Sequence, residues 1–301
     1  MENGIKKQIA DYWDNISIKQ CKTEKVYRTR WWQSPTILRH VNYNICGEAI
    51  DGWNEGGIRL LKEKYGGEIN VALSIGCGDG SKEMALLERN LVKTFVCYEL
   101  SSERIARGKQ KAVEKGLEDR ITFVNEDFFE TEYEKRKYNM IFWDNSLHHM
   151  QNAFFAISKS YEILEPGGIF FCNDFVGKSK FQWSDMELAI VNGIRASLDD
   201  CLFYKDNGKC YPRFVHRISV EEMNKMDPSE AADSTSIIPA ITKVFSNPTI
   251  IPTGGLVYHT CLNGILSNID EGSLLLEHLL EMDDETIRMG LTQYAFVLAS
   301  K

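Results

Sequence analysis

The chain has 301 residues, 43% of them hydrophobic and 26% charged, the proportions of a globular protein. These figures exclude disorder, collagen-like repeats and low-complexity sequence as its main architecture. Its 35 basic and 43 acidic residues leave a net charge of −8, which argues against a dedicated nucleic-acid binder with a basic footprint. The eight cysteines form no C-x-x-C pair and fit reduced thiols. No signal-peptide pattern is visible, and no apolar run approaches the roughly 18–20 residues that span a bilayer. A cytoplasmic protein with a small-molecule substrate is expected, with no nucleic-acid or membrane partner and a homodimer as one possible assembly.

Residues 1–67 read as a helical, aromatic cap. Ile5, Ile9, Tyr12 and Trp13 share one helical face. Ser34 followed by Pro35 gives a helix start that should run to Cys46-Gly47, and a further helix should end at Gly66-Gly67. From Glu68 the pattern alternates. Short apolar runs at 70–75, 94–98, 121–124, 139–143 and 169–172 predict strands. Helices are predicted from Ser81, from Ser101, and from about Gln151 to Leu164, where Glu165-Pro166-Gly167-Gly168 makes a turn. Strands alternating with helices predict βαβ units and a parallel sheet over residues 68–177. Residues 178–245 read as a helical insertion, with helices at 182–202 and at 220–245, the second broken at Asp227-Pro228. Residues 246–301 return to the core through strand-like runs at 249–251 and 293–298.

Gly76-Cys77-Gly78-Asp79-Gly80, between the first strand and its helix, lets the backbone turn sharply and approach a ligand. Glu99 ends the second strand, where an acid can hold ribose hydroxyls, and Leu100 follows it. Asp127 and Phe128 follow the third strand, where a carboxylate and a ring could hold adenine. The dinucleotide fingerprint G-x-G-x-x-G is not met, because Ser81 stands at its third glycine.

These segments, with Asn145-Ser146-Leu147-His148-His149-Met150 and Leu164-Glu165-Pro166-Gly167-Gly168, resemble a class I S-adenosylmethionine-dependent methyltransferase. The resemblance implies a Rossmann-like α/β fold with a seven-stranded sheet, mostly parallel with the last strand antiparallel. It also implies that Gly76, Cys77, Gly78, Asp79 and Gly80 would hold the methionine moiety of S-adenosylmethionine. Glu99 would hold the ribose, and Asp127 with Phe128 the adenine. Leu100 and Asn145 complete the expected cofactor set, and S-adenosylhomocysteine is the implied product. Segments outside the core are similar to a bacterial group of small-molecule methyltransferases linked to sugar and surface-polysaccharide genes. They are residues 32–35 and 39–42, Phe175 to Trp183, and Asp227-Pro228-Ser229-Glu230-Ala231.

In methyl transfer to a hydroxyl, a base within hydrogen-bond reach helps. His148, His149 and Asp144 are the candidate catalytic groups. His148 is the leading base and His259 a second one, while His149, expected to begin the helix after the fourth strand, could instead fix the loop. Trp32, Asn173, Asp174, Gln182, Trp183 and His259 are the candidate substrate contacts. Trp31, Phe181, Arg28 and Arg30 join Trp32 and Trp183 as a possible lid. Asp144, Asn173 and Asp174 could alternatively hold magnesium, as in catechol-type methyltransferases. The reading is a methyltransferase with no required metal, acting on a hydroxyl of a sugar or related polar metabolite. Alternatives are an N-methyltransferase, a magnesium-dependent O-methyltransferase and a catalytically silent cofactor-binding module.

Overall fold

Seven strands form one sheet in the order β3-β2-β1-β4-β5-β7-β6. The strands are β1 (Ile69–Ile75), β2 (Val92–Tyr98), β3 (Ile121–Val124), β4 (Tyr138–Asp144), β5 (Leu164–Phe175), β6 (Thr249–Gly254) and β7 (Tyr294–Ser300). The first five pair in parallel, and β7 runs antiparallel to both β5 and β6. This computed structural model describes residues 3–21, 30–132, 137–205 and 208–301, with side chains described from residue 4 to 16 in the first segment. Arg28, expected in the lid, lies outside the described residues.

The central strands are apolar on both faces, as a sheet covered on both sides requires. β4 and β7 are buried along almost their whole length. α4 (Ser81–Glu88), α5 (Ser102–Lys115) and α6 (Ala153–Ile163) follow β1, β2 and the β4 segment as crossovers. Helix starts follow side-chain capping: Ser34, Ser101 and Asn152 each accept from a backbone N–H one turn on. α1 (Asn3–Cys21), α2 (Pro35–Cys46) and α3 (Glu55–Tyr65) precede the sheet.

Several local expectations change. His149 does not begin the helix: residues 147–149 form a 3₁₀ turn and α6 starts at Ala153, capped by Asn152. The Glu165–Gly168 segment is absorbed into β5 as an irregularity, with Tyr138 opposite Leu164 but Met140 opposite Ile169. The insertion holds α7 (Asp185–Ser197), α8 (Val220–Met226) and α9 (Ile237–Val244) rather than two long helices. Ser184, not Gln182, caps α7. A π-helical turn at 257–261 and α10 (Leu274–Arg288) lie between β6 and β7.

The strand order reverses between β1 and β4, so the crevice for a ligand opens where Gly76 and Asn145 leave those two strands. Gly80 has φ +69°, and a Cβ there would lie 2.7 Å from the Phe123 ring. Gly80→Ala should therefore lower stability by about 1–3 kcal/mol. Ser34→Ala, which only removes a cap, should cost about 1 kcal/mol. Urea denaturation of both variants checks the ranking.

Candidate active site

A cavity of about 930 Å³ lies over the carboxyl ends of β1, β2 and β4, roofed by α1 and the insertion. It sits near the top of the roughly 300–1,000 Å³ range of small-molecule sites, with room for a nucleotide cofactor and an acceptor together.

Its cofactor end is built from the strand ends. Gly76, Glu99, Leu100, Asp127, Phe128 and Asn145 all line it. Gly76 has φ +71°, and a Cβ there would lie 2.9 Å from Ser146 Cβ, so only glycine leaves this wall open. Glu99 accepts from the backbone N–H of Gly78 and of Ser101, both at 2.9 Å. Burial raises its pKa against the pull of Arg104 and those N–H groups. Asp127 pairs with Lys6 of α1 at 3.1 Å and caps a 3₁₀ turn through Phe129 N at 3.0 Å. Asn145 has φ +52°, a left-handed conformation that asparagine tolerates. α1 is tied down over this end. Asp14 accepts from the Ser101 hydroxyl, Trp13 lies 4.0 Å from the Arg104 guanidinium, and Tyr12 and Trp13 face the cavity. The glycine wall, the ribose-height carboxylate and the apolar slot at Phe128 fit S-adenosylmethionine.

The rest of the glycine loop acts at one remove. Cys77, Gly78, Asp79 and Gly80 do not line the cavity. Gly78 holds Glu99, while Asp79 pairs with Lys111 at 2.7 Å and with Ser81. These four shape the turn beneath the cavity wall.

The acceptor end centres on Asp174 and His148. Asp174 is fully buried. Its Oδ2 accepts from Ser146 N (2.9 Å) and Leu147 N (2.7 Å). Its Oδ1 accepts from Phe175 N (2.8 Å) and, more weakly, His148 N (3.4 Å). His148 Nδ1 lies 2.5 Å from Oδ1. That bond assigns the proton to Nδ1 and leaves Nε2 as an acceptor facing the cavity. Burial opposes protonation of His148, but the Asp174 carboxylate outweighs it and holds the imidazole above its ordinary value. His149 is the opposite case. Burial and the neighbouring His148 press it well below the ordinary value, and its Nδ1 lies 3.1 Å from the Ser229 hydroxyl. Glu230 Oε1 lies 3.6 Å from His148 Nε2. Among the described residues, His148, His149 and Glu230 bring three potential metal donors within 4.8 Å of one another.

Expectations for five residues at this end change. Asp174 and Asn173 do not line the cavity: the first is spent on backbone N–H groups and His148, and the second donates to Asn54 Oδ1 at 2.6 Å. Asp144 does not face the cavity either. It accepts from Trp53 Nε1 at 2.7 Å, from Asn54 and from Asn145, and pairs with Lys82 at 3.1 Å. It is therefore tied into the cavity wall, and both aspartates of the set proposed for magnesium are already committed to protein donors, so the set does not fit that ion. Gln182 turns away, its amide donating to the carbonyls of Lys180 and Ile218. His259 lines the cavity among Phe175, Phe181 and Tyr294, but burial brings it down to about 3, too acidic to serve as a base near neutrality.

Trp32 and Trp183 line the cavity, with Phe181 stacked on Trp183 at 5.2 Å and Arg30 reaching Asn263. Trp31 instead packs beneath, against Trp53. Sequence reasoning missed Lys82, Trp53, Glu230, Tyr211 and Tyr294 as lining residues. Only Glu230 carried a signal, inside the motif at 227–231.

Residues 72–168 match the family model of a methyltransferase domain. Methyltransferase GfsG from Streptomyces halstedii is 25% identical over 263 residues, covering 85% of this chain and 86% of that protein. The 27-O-demethylrifamycin SV methyltransferase from Amycolatopsis mediterranei is 28% identical over 104 residues, 35% of this chain and 38% of that one. The fold is that of geranyl diphosphate C-methyltransferase from Streptomyces coelicolor A3(2) (TM-score 0.54, 15% identity, 99% and 98% of the two chains). It is also that of the [4+2]-cyclase SpnF (0.51, 14%, 98% and 96%). Residues 72–168 are thus a methyltransferase domain, and the chain is an S-adenosylmethionine-dependent methyltransferase similar to small-molecule enzymes. Among the described residues no helix is long and apolar enough to cross a membrane.

Glu83 lies under the cofactor loop. Burial pushes its carboxyl up to about 7, although the Ser74 hydroxyl donates to it at 2.6 Å. A raised carboxyl stabilises the fold below its unfolded value, about 4.3, and that contribution is lost as pH rises through 7. Wild-type stability should thus fall between pH 4 and 8 by up to about 3 kcal/mol more than that of Glu83→Gln. Urea titrations at both pH values check the difference.

Proposed function

We propose that this enzyme methylates a hydroxyl group of a small, ring-bearing polar molecule, sugar-like in shape, with His148 as the base. The observation that supports it most strongly is the buried Asp174–His148 pair, with its free Nε2 facing the cavity. When bound, S-adenosylmethionine supplies an electrophilic methyl group on sulfonium sulfur. Gly76, Glu99, Asp127 and Phe128 would hold it, with α1 excluding water from above. The acceptor hydroxyl donates to His148 Nε2, which takes its proton as the oxygen becomes a nucleophile. Asp174 fixes the tautomer and stabilises the imidazolium. Trp32, Phe181, Trp183 and Tyr294 offer flat apolar faces on which a ring can stack. A relative whose name places its methyl on oxygen is consistent with this reading. A neutral amine acceptor would have less use for the base.

Label transfer from S-adenosylmethionine into a panel of ring-bearing alcohols and amines tests the proposal. His148→Ala should lower kcat by about 10²–10⁴ while leaving cofactor affinity within a few-fold. Because the base must be unprotonated and its pKa is raised, wild-type kcat/KM should fall as pH drops through a midpoint above about 6.5. Asp174→Asn should move that midpoint down. Chelator should leave the rate unchanged. A loss restored by a divalent ion would reassign His148, His149 and Glu230 as ligands. Label on nitrogen alone would reject the oxygen acceptor.

A further inference from the structure

One carboxylate in the cavity has no task in the scheme above. Glu230 is 23% exposed at its side chain, and that exposure is into the cavity. His148 Nε2 lies 3.6 Å from its Oε1, too far for a hydrogen bond. Among the described residues no donor hydrogen-bonds to its carboxylate. A half-buried carboxylate left in this way favours a ligand that brings a donor.

The segment carrying Glu230 is held in place and does not collapse onto the histidine. Ser229 donates to Asp227 through both its backbone N–H (2.8 Å) and its hydroxyl (2.6 Å). Ala232 N donates to the His148 carbonyl at 2.9 Å, and Lys180 N donates to the Ala231 carbonyl at 2.7 Å. Lys180 Nζ and Gln151 both donate to the Pro228 carbonyl, at 2.7 and 2.8 Å. The backbone that carries Glu230 is therefore fixed beside His148.

From this geometry we infer that the acceptor is a vicinal diol, with His148 Nε2 taking the hydroxyl that is methylated and Glu230 accepting a hydrogen bond from the hydroxyl beside it. This rests on the oxygen-acceptor reading above. Two hydrogen-bond acceptors stand side by side, and a lone hydroxyl has one proton and can satisfy only one of them. Neighbouring hydroxyls in a gauche arrangement lie slightly closer together than 3.6 Å. Hydrogen bonds of about 2.8 Å that diverge a little would then reach both acceptors. Arg30, Lys180 and His148 face the carboxylate electrostatically, but burial and Asp227 outweigh them and raise it, so a ligand hydroxyl that donates to it is favoured. Glu230 thus sets which hydroxyl is presented, and proton transfer remains with His148.

The test uses the full-length enzyme with 4-nitrophenyl β-D-glucopyranoside and its 2-deoxy, 3-deoxy and 4-deoxy analogues as probes. Binding to the S-adenosylhomocysteine-loaded protein is measured by calorimetry and methyl transfer by label incorporation. Wild-type enzyme should bind the parent glycoside about tenfold more tightly than at least one deoxy analogue. In Glu230→Leu that preference should shrink to about twofold or less, and Glu230→Gln, which keeps one accepting oxygen, should fall between. The carboxylate-specific loss of discrimination is a readout that a merely structural role would not produce. Equal binding of parent and analogues by wild type, no binding of any of them, or a Glu230→Leu variant that weakens all four alike would overturn the proposal. The oxygen-acceptor reading fails separately: it is lost if label from the wider panel goes only to nitrogen, and it stands if simple mono-alcohols are methylated as well as diols.

Discussion

The acceptor site depends on one buried carboxylate. Asp174 leaves the end of β5 with no exposure to solvent and gathers the backbone N–H groups of residues 146, 147, 148 and 175 together with the His148 ring. A carboxylate taken out of water is costly unless its lone pairs are filled, and here the turn after β4 fills them. The same bonds that satisfy the charge fold residues 147–149 into a 3₁₀ turn, and that turn aims Nε2 at the cavity. Local structure and chemistry are therefore one arrangement at this point.

A second layer closes around it. Asp144, one residue pair away at the matched ends of β4 and β5, does for Trp53, Asn54 and Lys82 what Asp174 does for the turn. The two acids beside each other in the sheet thus have separate structural tasks, one fixing the base and the other fixing the cavity wall. Above them, α1 and the 227–232 segment close over the site, through Lys6 and Asp127, and through Ala232 and the His148 carbonyl. A site enclosed in this way strengthens electrostatic interactions inside it and keeps water from competing for the methyl group.

The alternation of strands and helices was legible in the sequence because it is a local property: apolar runs of strand length, separated by caps and glycines. The cofactor wall was legible for the same reason, since Gly76, Glu99, Asp127 and Asn145 each sit at a strand end that the pattern marks. The acceptor half was less so. Asp174 and Asn173 sit in an order that suggests substrate or metal contact, yet the register of β4 against β5 points them into the sheet edge and the turn. Gln182 was misplaced because Ser184 is the better cap, which frees the glutamine amide for distant carbonyls. Glu230 is 82 residues beyond His148 in sequence and meets it only because the insertion folds back, which no local pattern reports.

The most direct test of the account is the protonation state of the His148 ring, read by ¹⁵N NMR of histidine-labelled enzyme with the assignment made from His148→Gln. The account predicts that the neutral ring carries its proton on Nδ1 and none on Nε2, and that the ring titrates above the ordinary histidine value because Asp174 faces it. A neutral ring with its proton on Nε2, or a titration midpoint below that of an ordinary histidine, would contradict the claim that Asp174 prepares His148 to accept a proton.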